Sequence, residues 1–215
     1  MKVIVVGATG RVGQLTCEAL RDKGYEVVAF ARHPESLEAR EHMEARKLDL
    51  HESISQIAKA FAQAKADAIV FTAGSRGKDI VQVDAFGAIK TIDAAKKAGI
   101  KRYVMLGAMY AADISRWEDP KVKSAIDGLP DYYVTKFVAD EHLLNSGLDY
   151  TIIEPGTLVE TPATGHINAQ PGQSGSISIA DVAQALAQSL ELAQSVGRVY
   201  DIIGGDEPIA QALRS

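Results

Sequence analysis

The sequence predicts an α/β fold, with one doubly wound, mostly parallel sheet, helices on both faces and a small C-terminal lobe. Three observations carry that expectation. An unalternated apolar run opens the chain and passes directly into a glycine turn. Strand-like and helix-like stretches then alternate five times with short connections, and no linker, repeat or low-complexity tract interrupts them. At 215 residues the chain is long enough to bury most of its surface in one core. We read residues 1–215 as a single domain, with residues 154–180 and 204–215 forming the lobe.

The β-branched run Val3-Ile4-Val5-Val6 suits a strand covered on both faces. It leads into Gly7-Ala8-Thr9-Gly10-Arg11-Val12-Gly13. In that turn Gly7 supplies a backbone angle other residues resist, Gly10 lets an oxygen approach the main chain, and Gly13 lets the next helix lie close on the strand. Unpaired N–H groups and the positive end of a helix dipole then make an anion site, whose expected ligand is a nucleotide pyrophosphate. The spacing is one residue longer at the front than the usual dinucleotide fingerprint, so its position after a buried strand gives it meaning.

Val12, Leu15, Thr16, Ala19 and Leu20 keep helical spacing until Gly24, and the second strand, Glu26 to Ala31, ends at Arg32-His33-Pro34. A carboxylate at this point would bind a ribose 2′-hydroxyl, and a cation would bind a 2′-phosphate. With Arg32 there and no acid at residues 30–32, the expectation is NADP(H) rather than NAD(H), with Arg11 as a second cation. Residues 44–48 read as the third strand, followed by Asp49-Leu50. A helix spans Ser53 to Ala64, Ala68 to Phe71 is the fourth strand, and the small residues Thr72-Ala73-Gly74 leave room for a ribose. Arg76-Gly77-Lys78 reads as a cationic loop. One long helix is expected from Ile80 to Ala98, then a fifth strand from Tyr103 to Leu106.

The stretch from Gly107 to Pro130 is the least regular and holds the single tryptophan, Trp117. A helix from Asp131 to Ser146 follows, and it places Tyr132 and Lys136 on one face. A tyrosine hydroxyl is a poor acid at its ordinary pKa near 10, but a neighbouring ammonium stabilises the phenolate. Such a pair suits carbonyl reduction.

The glycine turn, Asp49-Leu50, the Tyr132/Lys136 spacing and the stretch Leu148 to Gly156 together resemble the short-chain dehydrogenase/reductase superfamily. More closely, the chain is similar to its small atypical NAD(P)-binding members, near biliverdin reductase B, NmrA-like regulators and epimerase/dehydratase-like proteins. The resemblance implies a Rossmann-like fold in which Gly7, Thr9, Gly10, Arg11, Val12 and Gly13 hold the pyrophosphate and Arg32 holds the 2′-phosphate. It implies Asp49 and Leu50 at the adenine, Thr72, Ala73 and Gly74 on the ribose side, and Pro155-Gly156 beside the nicotinamide. Tyr132 and Lys136 match the catalytic tyrosine and lysine, the lysine also holding ribose hydroxyls. Two departures stand out: Gly107-Ala108-Met109 replaces the usual serine or threonine after the fifth strand, with Tyr110 as the nearest substitute hydroxyl, and Glu154 stands where relatives often carry arginine. The expected activity is reduction of a small carbonyl, quinone or flavin-like substrate, and the alternative is a non-catalytic NADP(H) sensor that reports to a partner.

A net charge of −5 with mixed signs argues against a nucleic-acid surface, and no apolar run is long enough to span a membrane. A cytoplasmic monomer or homodimer is expected. The lone Cys17 reads as packed, and the five histidines lack metal-ligand spacing.

Overall fold

The computed structural model describes residues 1–214. In chain order its elements are β1 (Lys2–Val6), α1 (Arg11–Asp22), β2 (Glu26–Ala31), β3 (Met43–Lys47), α2 (Ile54–Ala64), β4 (Ala68–Phe71), α3 (Phe86–Ala98) and β5 (Arg102–Leu106). Then follow α4 (Lys123–Gly128), α5 (Pro130–Leu144), β6 (Asp149–Pro155), β7 (Thr157–Val159), β8 (His166–Ala169), β9 (Ser176–Ser178), α6 (Ile179–Ser189), β10 (Arg198–Gly204), β11 (Glu207–Pro208) and α7 (Ile209–Ala212). The main sheet runs β11-β8-β10-β6-β5-β4-β1-β2-β3. Every pairing from β3 to β10 is parallel, and β8 pairs antiparallel with β10 and with β11. This is a Rossmann-like fold, and the chain reverses direction across the sheet between β1 and β4, where such sheets bind ligands.

Strand periodicity sorts the core into two layers. Val3 and Val5 face one side with Leu20 and Leu186, while Ile4 and Val6 face the other with Phe61, Ile92 and Leu143. Each of these side chains is buried, and full burial stabilises by about 1.5–3 kcal/mol apiece. Cys17 packs in the first layer, where burial pushes its thiol up to about 12 and leaves it unreactive. A third cluster, including Ala108, Met109, Tyr110, Ile126 and Tyr133, lies under the segment after β5.

Three expectations are adjusted. The helix foreseen over Ile80–Ala98 begins as a wide π turn, Ile80–Ala85, before α3. Asp84 in that turn is buried and accepts the Ser75 amide at 2.9 Å, so the wide turn holds the loop after β4. The lobe is only partly separate, because β8 and β11 extend the main sheet and β7 and β9 alone form a second, two-stranded sheet. The Gly107–Pro130 stretch contains α4 and a 3₁₀ turn at Ile114–Arg116. Among the described residues no helix is long and apolar enough to cross a membrane, and no group of three potential ligands is poised for a metal.

Candidate functional site

A cleft of about 810 Å³ opens at the carboxyl ends of β1, β2, β3 and β4. That volume falls in the usual range for small-molecule and cofactor sites. Its floor is the glycine turn. Gly7 has φ +88°, and the amides of Gly7 and Ala8 both donate to the Phe30 carbonyl, at 3.0 and 3.1 Å. A Cβ on Gly7 would stand 2.5 Å from the Ala73 Cα, and one on Gly13 would stand 2.2 Å from the Gly7 oxygen. No side chain larger than hydrogen fits either place. Gly13 therefore acts by packing α1 onto β1, and it does not line the cleft.

Helix α1 starts at Arg11 with no side-chain cap on Gly10 and no acidic residue in its first turn. A helix start left in that condition attracts an anion through its free N–H groups and its dipole. The residues present fit a dinucleotide pyrophosphate. Gly7, Thr9, Gly10, Arg11 and Val12 line this part of the cleft, and the Arg11 guanidinium reaches across to Glu160 at 3.0 Å.

Further along the wall stand Arg32, Asp49, Leu50, Ala73 and Gly74. Arg76 and Lys78 line the same cleft, and among the described residues neither they nor Arg32 makes an ion pair. Thr72 turns its hydroxyl inward to the Val6 carbonyl at 3.0 Å, so it ties β4 to β1. Asp49 is engaged by His51, whose amide donates to it at 3.0 Å and whose Nδ1 lies 2.7 Å away. The far nitrogen of His51 meets Asp79 at 2.8 Å. The His51 backbone amide, ahead of its imidazole, holds the Asp49 carboxyl below its usual range, and the two carboxylates hold the His51 imidazole above its own. His51 and Asp79 thus clasp the loop after β4 to the segment after β3. Sequence reading passed over both, because the partners lie 28 residues apart and no local spacing announces them.

At the opposite end, Pro130 and Asp131 begin α5 in positions that favour a helix start. Tyr132 lines the cleft from its first turn. One turn on, Lys136 is buried, donates to the Leu106 carbonyl at 2.8 Å, and lies 5.8 Å from the centre of the Tyr132 ring. Lys136 backs Tyr132 from behind the wall. Leu129 and Leu158 complete this end, while Pro155 and Gly156 lie outside the lining.

Residues 7–192 match the sequence model of a family described as NAD(P)H-binding. The chain belongs to that family. It is 40% identical over 224 residues to the uncharacterized sugar epimerase YhfK of Bacillus subtilis, covering 100% of this chain and 99% of the relative. Among solved structures, the oxidoreductase ylbE of Lactococcus lactis superposes with a TM-score of 0.93 at 35% identity, covering 99% of this chain and 95% of that one. ChuY, an anaerobillin reductase of Escherichia coli O157:H7, superposes at 0.76 with 29% identity, covering 96% and 98%. The family is NAD(P)H-binding, and these solved relatives share the Rossmann-like fold of this chain.

The two departures noted in the sequence are one feature. A Cβ on Gly107 would stand 2.8 Å from the Cγ of Glu154, so the buried glutamate occupies the space a serine would need. Tyr110 does not replace that hydroxyl. It is buried under Arg116, whose guanidinium carbon lies 4.5 Å from its ring centre, and it does not line the cleft.

Proposed function

We propose that the protein is an NADP(H)-dependent reductase of a small carbonyl, quinone or flavin-like molecule, with Tyr132 as the proton donor. The observation that carries this reading is Tyr132 on the cleft wall with the buried Lys136 ammonium behind it. The nicotinamide, when bound, supplies hydride. Tyr132 gives its hydroxyl proton to the substrate atom on which negative charge develops, and the Lys136 cation favours the phenolate left behind. The bond from Lys136 to the Leu106 carbonyl fixes that cation at the end of β5.

Preference for NADP(H) over NAD(H) is supported by Arg32, Arg76 and Lys78, three cations of the cleft lining that make no ion pair among the described residues. A guanidinium holds phosphate in a two-pronged fork. Reduction chemistry is supported by the likeness to an oxidoreductase and to an anaerobillin reductase. The test is turnover of NADPH against a panel of quinones, flavins and aldehydes. Tyr132→Phe is expected to lower turnover on the order of 10²- to 10⁴-fold while NADPH affinity holds; unchanged turnover overturns the role of Tyr132.

One observation favours a second reading, a sensor of the NADP(H) pool: the position after β5 carries no hydroxyl and has no room for one beside Glu154. A sensor discriminates oxidised from reduced cofactor. Equal affinity for the two forms removes this reading.

A further inference from the structure

Directly beneath the segment that follows β5 lie three carboxyl groups from three elements: Asp140 on α5, Glu154 on β6 and Asp201 on β10. All are buried, at 0%, 1% and 7% exposure. Two of them grip the segment by its main chain. Glu154 Oε1 accepts the Ala112 amide at 2.8 Å, and Asp201 Oδ1 accepts the Tyr110 amide at 2.7 Å. Tyr110 has φ +60°, a conformation that bulky residues rarely adopt. Its carbonyl in turn accepts the indole N–H of Trp117 at 2.9 Å, so the backbone of residues 110–117 hangs on this pair of carboxyls.

Asp140 completes the cluster. Among the described residues neither of its oxygens has a hydrogen-bond partner, and its charge bears on Glu154, which stands in register beside Asp201 where β6 and β10 pair. Two buried carboxylates do not sit together unless a proton lies between them. Removal from water raises all three above the usual carboxylate range, with Asp140 pushed up to about 7 and Glu154 raised well above its ordinary value. The other ionisable groups that face the cluster are Lys136, Glu141 and Tyr133 from α5, and Tyr110, Asp113 and Arg116 from the loop. Lys136 is the only cation on the α5 side, and it is already committed to the Leu106 carbonyl.

We propose that Asp140, Glu154 and Asp201 share protons as one buried anchor that positions residues 107–117, and that this anchor makes the segment packed behind Tyr132 responsive to pH. At low pH the cluster is protonated and the loop is held. As pH rises through neutrality a second negative charge appears among buried oxygens, and the strain is relieved by letting the loop go or by admitting water. The three acids are positioning residues and touch no reacting atom. The importance of this segment for substrate rests on the reductase reading, but the anchor does not, and its test uses neither substrate nor cofactor.

Trp117, the only tryptophan, sits on the loop itself and packs edge-on against Tyr133 and Phe137, at 6.2 and 6.0 Å between ring centres. No histidine lies in residues 107–130 to titrate in the same window. The experiment follows Trp117 emission of the full chain from about pH 5 to about pH 9, with far-UV circular dichroism recorded in parallel. The expected result is a red shift of emission with a midpoint near or above neutrality while the dichroism stays constant. Glu154→Gln keeps an acceptor for Ala112 and carries a permanent donor, so it is expected to abolish the shift and hold the loop at every pH. Asp140→Asn serves the same purpose if Glu154→Gln does not fold. Flat wild-type emission across the range, or a shift that persists unaltered in the folded variant, overturns the proposal.

Discussion

Where β1, β2 and β4 end, the cleft is made of main chain: a turn with φ +88° at Gly7, an uncapped helix start, and amides sharing the Phe30 carbonyl. Where β5 ends, it is backed by buried ionisable side chains that do not line it, with Lys136 on the Leu106 carbonyl and Glu154 against Gly107. The first construction offers dipoles that any diphosphate satisfies. The second depends on charges whose state follows their neighbours, so it shapes what happens beside a bound dinucleotide more than whether one binds. On the proposed reading cofactor capture and substrate handling are separable, and substitutions in one half are expected to leave the other half's readout in place.

The sharpest way to break that separation is Gly13→Ala. Its Cβ would meet the main-chain oxygen of Gly7 at 2.2 Å, with the Thr72 hydroxyl at 2.9 Å beside it, and a main-chain atom cannot swing away. The expected outcome is loss of detectable NADPH binding and destabilisation of about 1–3 kcal/mol or more, read by calorimetry and by thermal unfolding.

Next in size is Gly107→Ser, which restores the hydroxyl of the wider superfamily in a place already filled by Glu154. It is expected to cost about 1–3 kcal/mol of stability, with NADPH affinity unchanged. In a double-mutant cycle with Glu154→Ala the two changes should couple by at least about 0.5 kcal/mol. Additive behaviour would show that glycine and glutamate are independent features.

The smallest effect is expected at the clasp between Asp49 and Asp79. Because both carboxylates raise the His51 pKa, the charged clasp is complete below the ordinary histidine value near 6.5 and is lost only as pH rises through the raised value above it. NADPH affinity should weaken over that window by less than about fivefold, since the pairs are exposed. His51→Ala should remove the pH dependence, which a titration series checks.

Legibility in the sequence follows the same division. The first strand, the glycine turn and the alternation of strands and helices are written in local patterns, and local patterns fix local backbone. Val3 to Val6, Gly7 and Gly13 could be read because each acts through its neighbours in the chain or through the absence of a side chain. The edge strand β3 was legible although it carries Glu44, Arg46 and Lys47, residues that discourage pairing beyond the edge. The π turn before α3 was not, since it is set by Asp84 reaching back to Ser75. The acids at 140, 154 and 201 come together only when α5, β6 and β10 pack, so nothing in their spacing foretells the cluster. Glu154 was visible as an oddity and Gly107 as another. That they are one feature is a fact of contact.

The central claim is that the cleft seats a dinucleotide diphosphate on the start of α1 and its 2′-phosphate on Arg32. Calorimetric titration of the protein with NADPH and with NADH, repeated for Arg32→Ala, tests it most directly. The account predicts tighter binding of NADPH, lost on the order of 10- to 100-fold in Arg32→Ala while NADH binding is unaltered. Absence of binding by either cofactor, or an NADPH preference that survives the loss of Arg32, would contradict it.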